Sequence, residues 1–310
     1  MVEDTLTRMF WSRVEKSGSL PAQMMKRGGR WQTLAWSEVG DAVREAALGL
    51  LALGQQRGDT VALLSASRAE WVQGDKAILS AGCVTVPIYA TYTPELIAHI
   101  INDAGATTLI VEDPAQLEKV LEAKGKMAGL ERIVVIEGYE GQAPFVVTWD
   151  QLRRLGRDHA DRLKSELAER VASVRPDDVA TIVYTSGTTG PPKGVVQTHA
   201  NHTAALAAVA EVTQLRAGEV HLLFLPLAHS FARLEAFMGV YVGLTTAFAE
   251  SLDTVAADLR EVRPHFFCSV PRLFEKVYTK ILAGVEGGSP LKKRIFFWAL
   301  GVGREVSRLR

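Results

Sequence analysis

A chain of 310 residues, 47% hydrophobic and 23% charged, can bury a sizeable core and lies outside the disordered and fibrous classes. Its 35 Lys+Arg balance 35 Asp+Glu, so net charge gives nucleic acid or an anionic membrane nothing to recognise. Cys83 and Cys268 lie far apart without C-x-x-C spacing, which argues against a disulfide framework and for buried thiols in a reducing, cytoplasmic setting. At the N-terminus, MVEDTLTRMFWSRV is acidic and amphipathic and lacks the basic-then-apolar order of a signal peptide. From Ser37 onward helix and strand patterns alternate. SEVGDAVREAALGLLALG (37–54) reads as a helix, with Ser37 as N-cap, Val39, Val43, Ala46 and Leu50 at helical spacing, and Gly54 as its stop. TVALLSAS (60–67) reads as a buried strand, followed by a helix over 68–81 and a strand CVTVPIYA (83–90). Thr93 and Pro94 supply a cap and first-turn proline for ELIAHIINDAG, which Gly105 ends. TTLIVED (107–113) and RIVVIEG (132–138) are further strands around a helix at QLEKVLEAK.

A charged helix over 150–173 leads to RPDD, a polar break that separates a first α/β subdomain, 1–174, from a second, 175–310. In the second, VATIVYT (179–185), HLLFLPL (221–227), TTAFAE (245–250) and HFFCSV (265–270) read as strands with helices between them. Short apolar strands alternating with amphipathic helices predict an α/β fold: two βαβ-built subdomains whose mostly parallel sheets are covered by helices. The most apolar window, FMGVYVGLTTAFA at 237–249, is shorter than the ~18 residues of a membrane span.

The chemistry concentrates in TSGTTGPPKG, residues 185–194, which leave the apolar strand VATIVYT at its carboxyl end, where open α/β sheets place their ligands. Gly187, Gly190 and Gly194 permit positive φ and close backbone approach, so successive N–H groups can converge on an anion. Thr185, Ser186, Thr188 and Thr189 add hydroxyls, and Lys193 adds a point charge with the reach of a phosphate oxygen. A solvated turn would need glycine and hydroxyl residues but not this order with a lysine. An NTPase P-loop fails as well: Lys193 is followed by Gly194 rather than a hydroxyl, and GVVQT is β-branched rather than helical.

YTSGTTGPPKGVVQTH (184–199) resembles the phosphate-loop signature of the acyl-adenylate-forming enzymes. FLPLAHSFAR (224–233) is similar to their next motif. AESLDTVAADLREVRPHFFCSVPRLFEKVY (249–278), GDTVALLSASRAEWV and VPIYATYTPELIAHIINDAGATTLIVED resemble the long-chain fatty acyl-CoA synthetase branch. The resemblance covers nearly the whole chain and implies the N-terminal part of the adenylate-forming enzyme fold. It implies ATP-dependent activation of a long-chain fatty acid to an acyl-adenylate, then transfer to coenzyme A. It casts Thr185 as a ligand of the Mg2+ on ATP. Ser186, Gly187, Thr188, Thr189, Gly190 and Lys193 become the grip on the β- and γ-phosphates, and His229 becomes the catalytic histidine beside the acyl and adenylate site. A histidine after a strand can also be a structural hydrogen-bonder; its place after FLPL, on the sheet edge expected to carry the loop, favours the functional role.

The family continues well past Arg310, with an adenine-binding strand, a magnesium-site glutamate, a ribose-binding aspartate and a small domain with a catalytic lysine. The chain is therefore expected to be an N-terminal fragment that does not turn over alone. Two other readings stay open: a non-catalytic nucleotide- or acyl-binding module, and an adenylating enzyme for another carboxylate. Among the remaining candidates, HANH (199–202) reads as a helix start rather than a metal site, His99 as solvated, and Arg272 with Glu275 as a surface ion pair. A basic helix near the C-terminus aligns Leu291, Ile295, Trp298, Val302, Val306 and Leu309. This face fits packing against further chain, with peripheral membrane contact as the alternative.

Overall fold

The computed structural model describes residues 4–185 and 190–309. Helix α1 (Leu6–Ser17) is capped by the Thr5 hydroxyl, which accepts from the Arg8 N–H. The strands β1 (Pro21–Arg27) and β2 (Arg30–Ala35) form a hairpin through Gly28 and Gly29, at φ 55° and 73°, the left-handed values a tight primed turn needs. After α2 (Trp36–Ala52) come β3 (Thr60–Leu64), α3 (Ala69–Ser80), β4 (Val84–Ile88), α4 (Pro94–Ala104), β5 (Thr108–Val111), α5 (Pro114–Glu122) and β6 (Arg132–Val135). The short β7 (Val146–Thr148) precedes α6 (Trp149–Asp158) and α7 (Ala160–Ser173), two helices where the charge pattern predicted one. Next are β8 (Val179–Thr185), β9 (Lys193–Thr198), α8 (His199–Val212), β10 (Val220–Leu223), α9 (Ser230–Met238), β11 (Thr245–Phe248) and α10 (Val255–Val262). Helices α11 (Pro271–Glu286) and α12 (Pro290–Arg308) complete the described chain.

The strands form a seven-stranded sheet, β7-β6-β5-β3-β4-β8-β9, and a four-stranded sheet, β10-β11-β1-β2. Neighbours run parallel except in the pairs β8–β9 and β1–β2, so the mixed α/β architecture with mostly parallel sheets is as expected. The central strands read as unbroken apolar runs because both faces are covered. Leu64, Ile88, Leu109 and Ile133 pack in one cluster with Ile97 and Ile101 of α4 and Val120 of α5, while the alternate residues Leu63 and Ile110 lie against Gly74 of α3. Each fully buried Leu or Ile of this kind contributes about 1.5–3 kcal/mol. Pro87, which has no N–H to give, is tolerated in β4 because β4 meets β8 only at Thr85↔Thr181.

The chain packs as two compact units, residues 1–267 and 268–310. The boundary drawn at RPDD, 174/175, falls inside the larger unit, since β8 and β9 extend the sheet begun by β3 and β4. The expected strand HFFCSV does not form. The segment forms one isolated bridge with β10, at His221↔Phe266; the His265 ring Nδ1 takes the Val220 N–H and Phe266 stacks on the His221 ring at 5.2 Å. No described helix is long and apolar enough to cross a membrane.

Candidate active site

Strand β8 carries the glycine-hydroxyl stretch out of the sheet. β8 and β9 pair antiparallel from Val179↔Thr198 to Thr185↔Lys193, so the loop joins neighbouring strands, with Thr185 and Lys193 facing each other at its base. Both are exposed. Ser186, Gly187, Thr188 and Thr189 lie outside the described residues. Gly190 sits at φ 97°, a left-handed value that side chains rarely adopt. Gly194 serves close approach: a Cβ there would stand 2.7 Å from Ile182 Cγ2 and 3.1 Å from the Tyr184 ring. The Tyr184 hydroxyl donates to Asp103 Oδ2 at 2.6 Å. Burial and then the Asp103 carboxylate push its pKa up, so Tyr184 stays protonated as a donor.

His229 follows a different sheet. β10 belongs to the four-stranded sheet and β8 to the seven-stranded one, which corrects the expectation of a single shared edge; strand order across sheets depends on pairings that no local pattern encodes. His229 is exposed and stands at the N-cap of α9, where its Nδ1 accepts the Phe231 N–H at 3.2 Å. With Nδ1 engaged as an acceptor, Nε2 carries the ring proton in the neutral form. The residues just before it line a cavity of about 220 Å3 with Ser67, Tyr89, Phe224, Pro226, Ala228 and Leu252 among its walls. Ser67, beyond the end of β3, holds the two sheets together there: its hydroxyl donates to Leu225 O at 2.7 Å and accepts from Leu227 N at 2.9 Å. A larger cavity of about 770 Å3 lies between the β1–β2 hairpin and α6. Its walls carry charges already engaged with one another, Arg68 with Glu70 and Glu137 and Arg153 with Glu45, whereas the smaller cavity is walled chiefly by apolar atoms.

Beneath the two segments is a buried charge cluster for which sequence reasoning gave no signal. Arg233, one turn after His229, is 1% exposed and pairs with Asp75 Oδ1 of α3 at 2.5 Å. It also donates to the Thr181 hydroxyl of β8. Lys76 Nζ lies 3.1 Å from the other oxygen of Asp75 and 3.8 Å from the Phe237 ring centroid. Burial alone would raise the Asp75 carboxyl, but Arg233 and Lys76 hold it below its ordinary value. Burial pulls Lys76 down to about 8 against the Asp75 charge. One guanidinium thus ties the helix that starts at His229 to the strand that ends at Thr185. Removing one partner of a buried pair of this kind costs about 3–5 kcal/mol, because the other charge is left uncompensated.

The remaining candidates sort as follows. HANH does open α8, and among the described residues no group of three or more His, Cys, Asp or Glu could hold a metal ion. His99 is half-buried rather than solvated, because its Nε2 lies 3.0 Å from the Pro192 carbonyl. Arg272 and Glu275 form no ion pair in the described α11, whose charged side chains have solvent available instead. Cys83 is buried, and desolvation pushes its thiol up to about 12, leaving it inert.

Residues 10–299 match the AMP-binding enzyme family. The chain belongs to that family. It is 32% identical over 312 residues to a long-chain-fatty-acid–CoA ligase, ACSBG2, of Xenopus laevis, covering 98% of this chain and 42% of that protein. It is 38% identical over 252 residues to the long-chain-fatty-acid–CoA ligase FadD15 of Mycobacterium bovis, covering 81% and 41%. The chain therefore spans under half the length of these curated relatives. Among solved structures, a fatty acyl CoA synthetase of Mycobacterium tuberculosis superposes with TM-score 0.70 at 22% identity, over 88% of this chain and 50% of that one. A long-chain-fatty-acid-CoA ligase, FadD1, of Archaeoglobus fulgidus superposes with TM-score 0.71 at 23% identity, over 84% and 50%.

Proposed function

We propose that the natural protein carrying this chain activates a long-chain fatty acid with ATP and passes the acyl group to coenzyme A in the cytoplasm. The observation that carries this reading is the β8–β9 hairpin, which sets Thr185 opposite Lys193 at the mouth of a glycine-hydroxyl loop. In its support, the relatives above are named for long-chain fatty acid–CoA ligation. Attack of a carboxylate on the α-phosphate brings negative charges together, so catalysis must come chiefly from preorganised positive groups and donors. Lys193 and the loop segment Ser186–Gly190 hold the outer phosphates and release pyrophosphate. Magnesium is substrate here, arriving on ATP and neutralising phosphate charge; Thr185 offers it an oxygen of the kind hard cations take. The His229 Nε2–H is left free to donate to an oxygen of the forming adenylate, and the apolar cavity beside it accepts the start of the acyl chain. Membership of an enzyme family counts against a non-catalytic binding module. The test is ATP–pyrophosphate exchange by the natural protein with palmitate, benzoate and amino acids in parallel. Exchange that depends on palmitate is expected; exchange driven only by an aryl or amino acid would reject the fatty-acid assignment.

A further inference from the structure

The loop's two stems are both fastened to one helix. α4 is a firm base: Thr93 caps it, Pro94 starts it, Gly105 at φ 65° ends it, and Ile97, Ile100 and Ile101 are buried in the main core. His99 and Asp103 lie four residues apart and so share one face of α4. Asp103 Oδ2 accepts from the Tyr184 hydroxyl at 2.6 Å, one residue before Thr185. His99 donates its Nε2–H to the Pro192 carbonyl at 3.0 Å, one residue before Lys193. The imidazole and phenol rings meet edge to face, 6.5 Å apart at 86°. Gly194 completes the arrangement, since a Cβ there would stand 2.7 Å from Ile182 Cγ2 and press on the Tyr184 ring at 3.1 Å.

We propose that His99 and Asp103 are positioning residues for phosphate binding: they clamp both stems of the loop to α4 and thereby fix where Thr185 and Lys193 are presented. This inference rests on the phosphate-loop reading above. Each bond removes freedom from a stem of the hairpin, so the clamp lowers the ordering required when a nucleotide binds. Pro192 is buried and has no N–H of its own, which leaves its carbonyl as the backbone group by which α4 can hold that stem. Tyr184 is 4% exposed and its hydroxyl has one acceptor in Asp103, so the first stem is held through a side chain rather than through the sheet alone.

The experiment uses the natural protein with all of its chain. Binding of MgATP and of inorganic pyrophosphate is measured by calorimetry for the unsubstituted protein and for His99→Ala, His99→Gln, Asp103→Ala, Asp103→Asn and Lys193→Ala. Loss of one stem bond is expected to weaken nucleotide binding about three- to tenfold. The KM for ATP should rise with it while the KM for the carboxylate stays unchanged. His99→Gln keeps a donor for the Pro192 carbonyl and Asp103→Asn keeps an acceptor for the Tyr184 hydroxyl, so both should recover most of the affinity. A role confined to stability would lower the melting temperature without separating the two KM values. If Lys193→Ala weakens binding and neither alanine variant on α4 does, the clamp is wrong and the loop reading stands. If Lys193→Ala also leaves binding unchanged, the loop reading fails and the clamp falls with it.

Discussion

Lys193 occupies the first position of β9, exposed, with Thr185 as its register partner across the hairpin. An exposed strand residue leaves no cavity when shortened, so Lys193→Ala should preserve the fold and remove only a charge. A hydrogen bond to a charged group contributes about 1.5–3 kcal/mol, which corresponds to a loss of roughly ten- to two-hundredfold in ATP or pyrophosphate affinity. Calorimetry alongside a melting curve checks this: unchanged affinity with a normal melting temperature would remove Lys193 from the phosphate site. Its neighbour Gly194 is constrained in another way, by the Ile182 and Tyr184 side chains that occupy the space of a Cβ. The sequence suggested positive φ or close backbone approach for this glycine, and at Gly194 it is close approach that the structure shows. Only Gly190 shows the positive φ within the described part of the loop.

α8 places two histidines of HANH in the interior. His199 Nδ1 accepts the Leu6 N–H at 3.3 Å, and His202 meets the Phe237 ring edge-on at 5.1 Å. Burial lowers His199 to about 4 and His202 to about 3, with Arg233 adding to the effect on His202. Both folded-state values lie below the ordinary 6.5, so their contribution to stability is intact above pH 6.5 and is lost as pH falls toward 4 and 3. At pH 5 the unfolded chain takes up these protons and the folded chain does not, a loss of about 2 kcal/mol per histidine relative to pH 8. Carboxylates titrate lower and Lys76 titrates near 8, so denaturant midpoints between pH 7 and 5 isolate the histidines; His202→Gln should remove about half of the slope, and an unchanged slope would refute their neutral burial. Elements of this kind were legible where their signals are local. Thr93, Pro94 and Gly105 marked both ends of α4, and Thr198 at the head of HANH caps α8. The β1–β2 hairpin went unread although Arg27-Gly28-Gly29-Arg30 carries its turn, because its strands are half polar and only one face is covered. HFFCSV showed the reverse: apolar enough for a strand, it meets β10 in one isolated bridge, and its His265 ring takes the Val220 N–H.

At the scale of the molecule, the local part of the site was readable and the part that joins distant segments was not. Thr185 through Lys193 sit in one stretch, whereas Arg233 and Asp75, 158 residues apart, meet only once both sheets have formed. That joining bears on what residues 1–310 can do by themselves. Adenylate formation requires the carboxylate, the α-phosphate and the nucleoside to be held together, and such positioning accounts for about 7–11 kcal/mol of a barrier. The Asp75–Arg233–Thr181 cluster ties the His229 segment to β8, so under the proposed function the chain supplies a phosphate grip and the start of an acyl wall. The chain nevertheless spans 42% of ACSBG2, and the adenine, ribose and closing-domain groups that the family resemblance calls for find no match in its sequence. Residues 1–310 alone should therefore bind MgATP weakly, through its phosphates, and release no pyrophosphate in response to palmitate. The check is a pyrophosphate-release assay on the purified 310-residue protein with ATP, magnesium and palmitate, repeated with Lys193→Ala. Palmitate-dependent release that disappears in the variant would mean that these residues already hold a complete active site, with His229 and the loop sufficient for adenylation. Release unaffected by Lys193→Ala would point instead to a contaminating activity, and absence of release in both is the expected result.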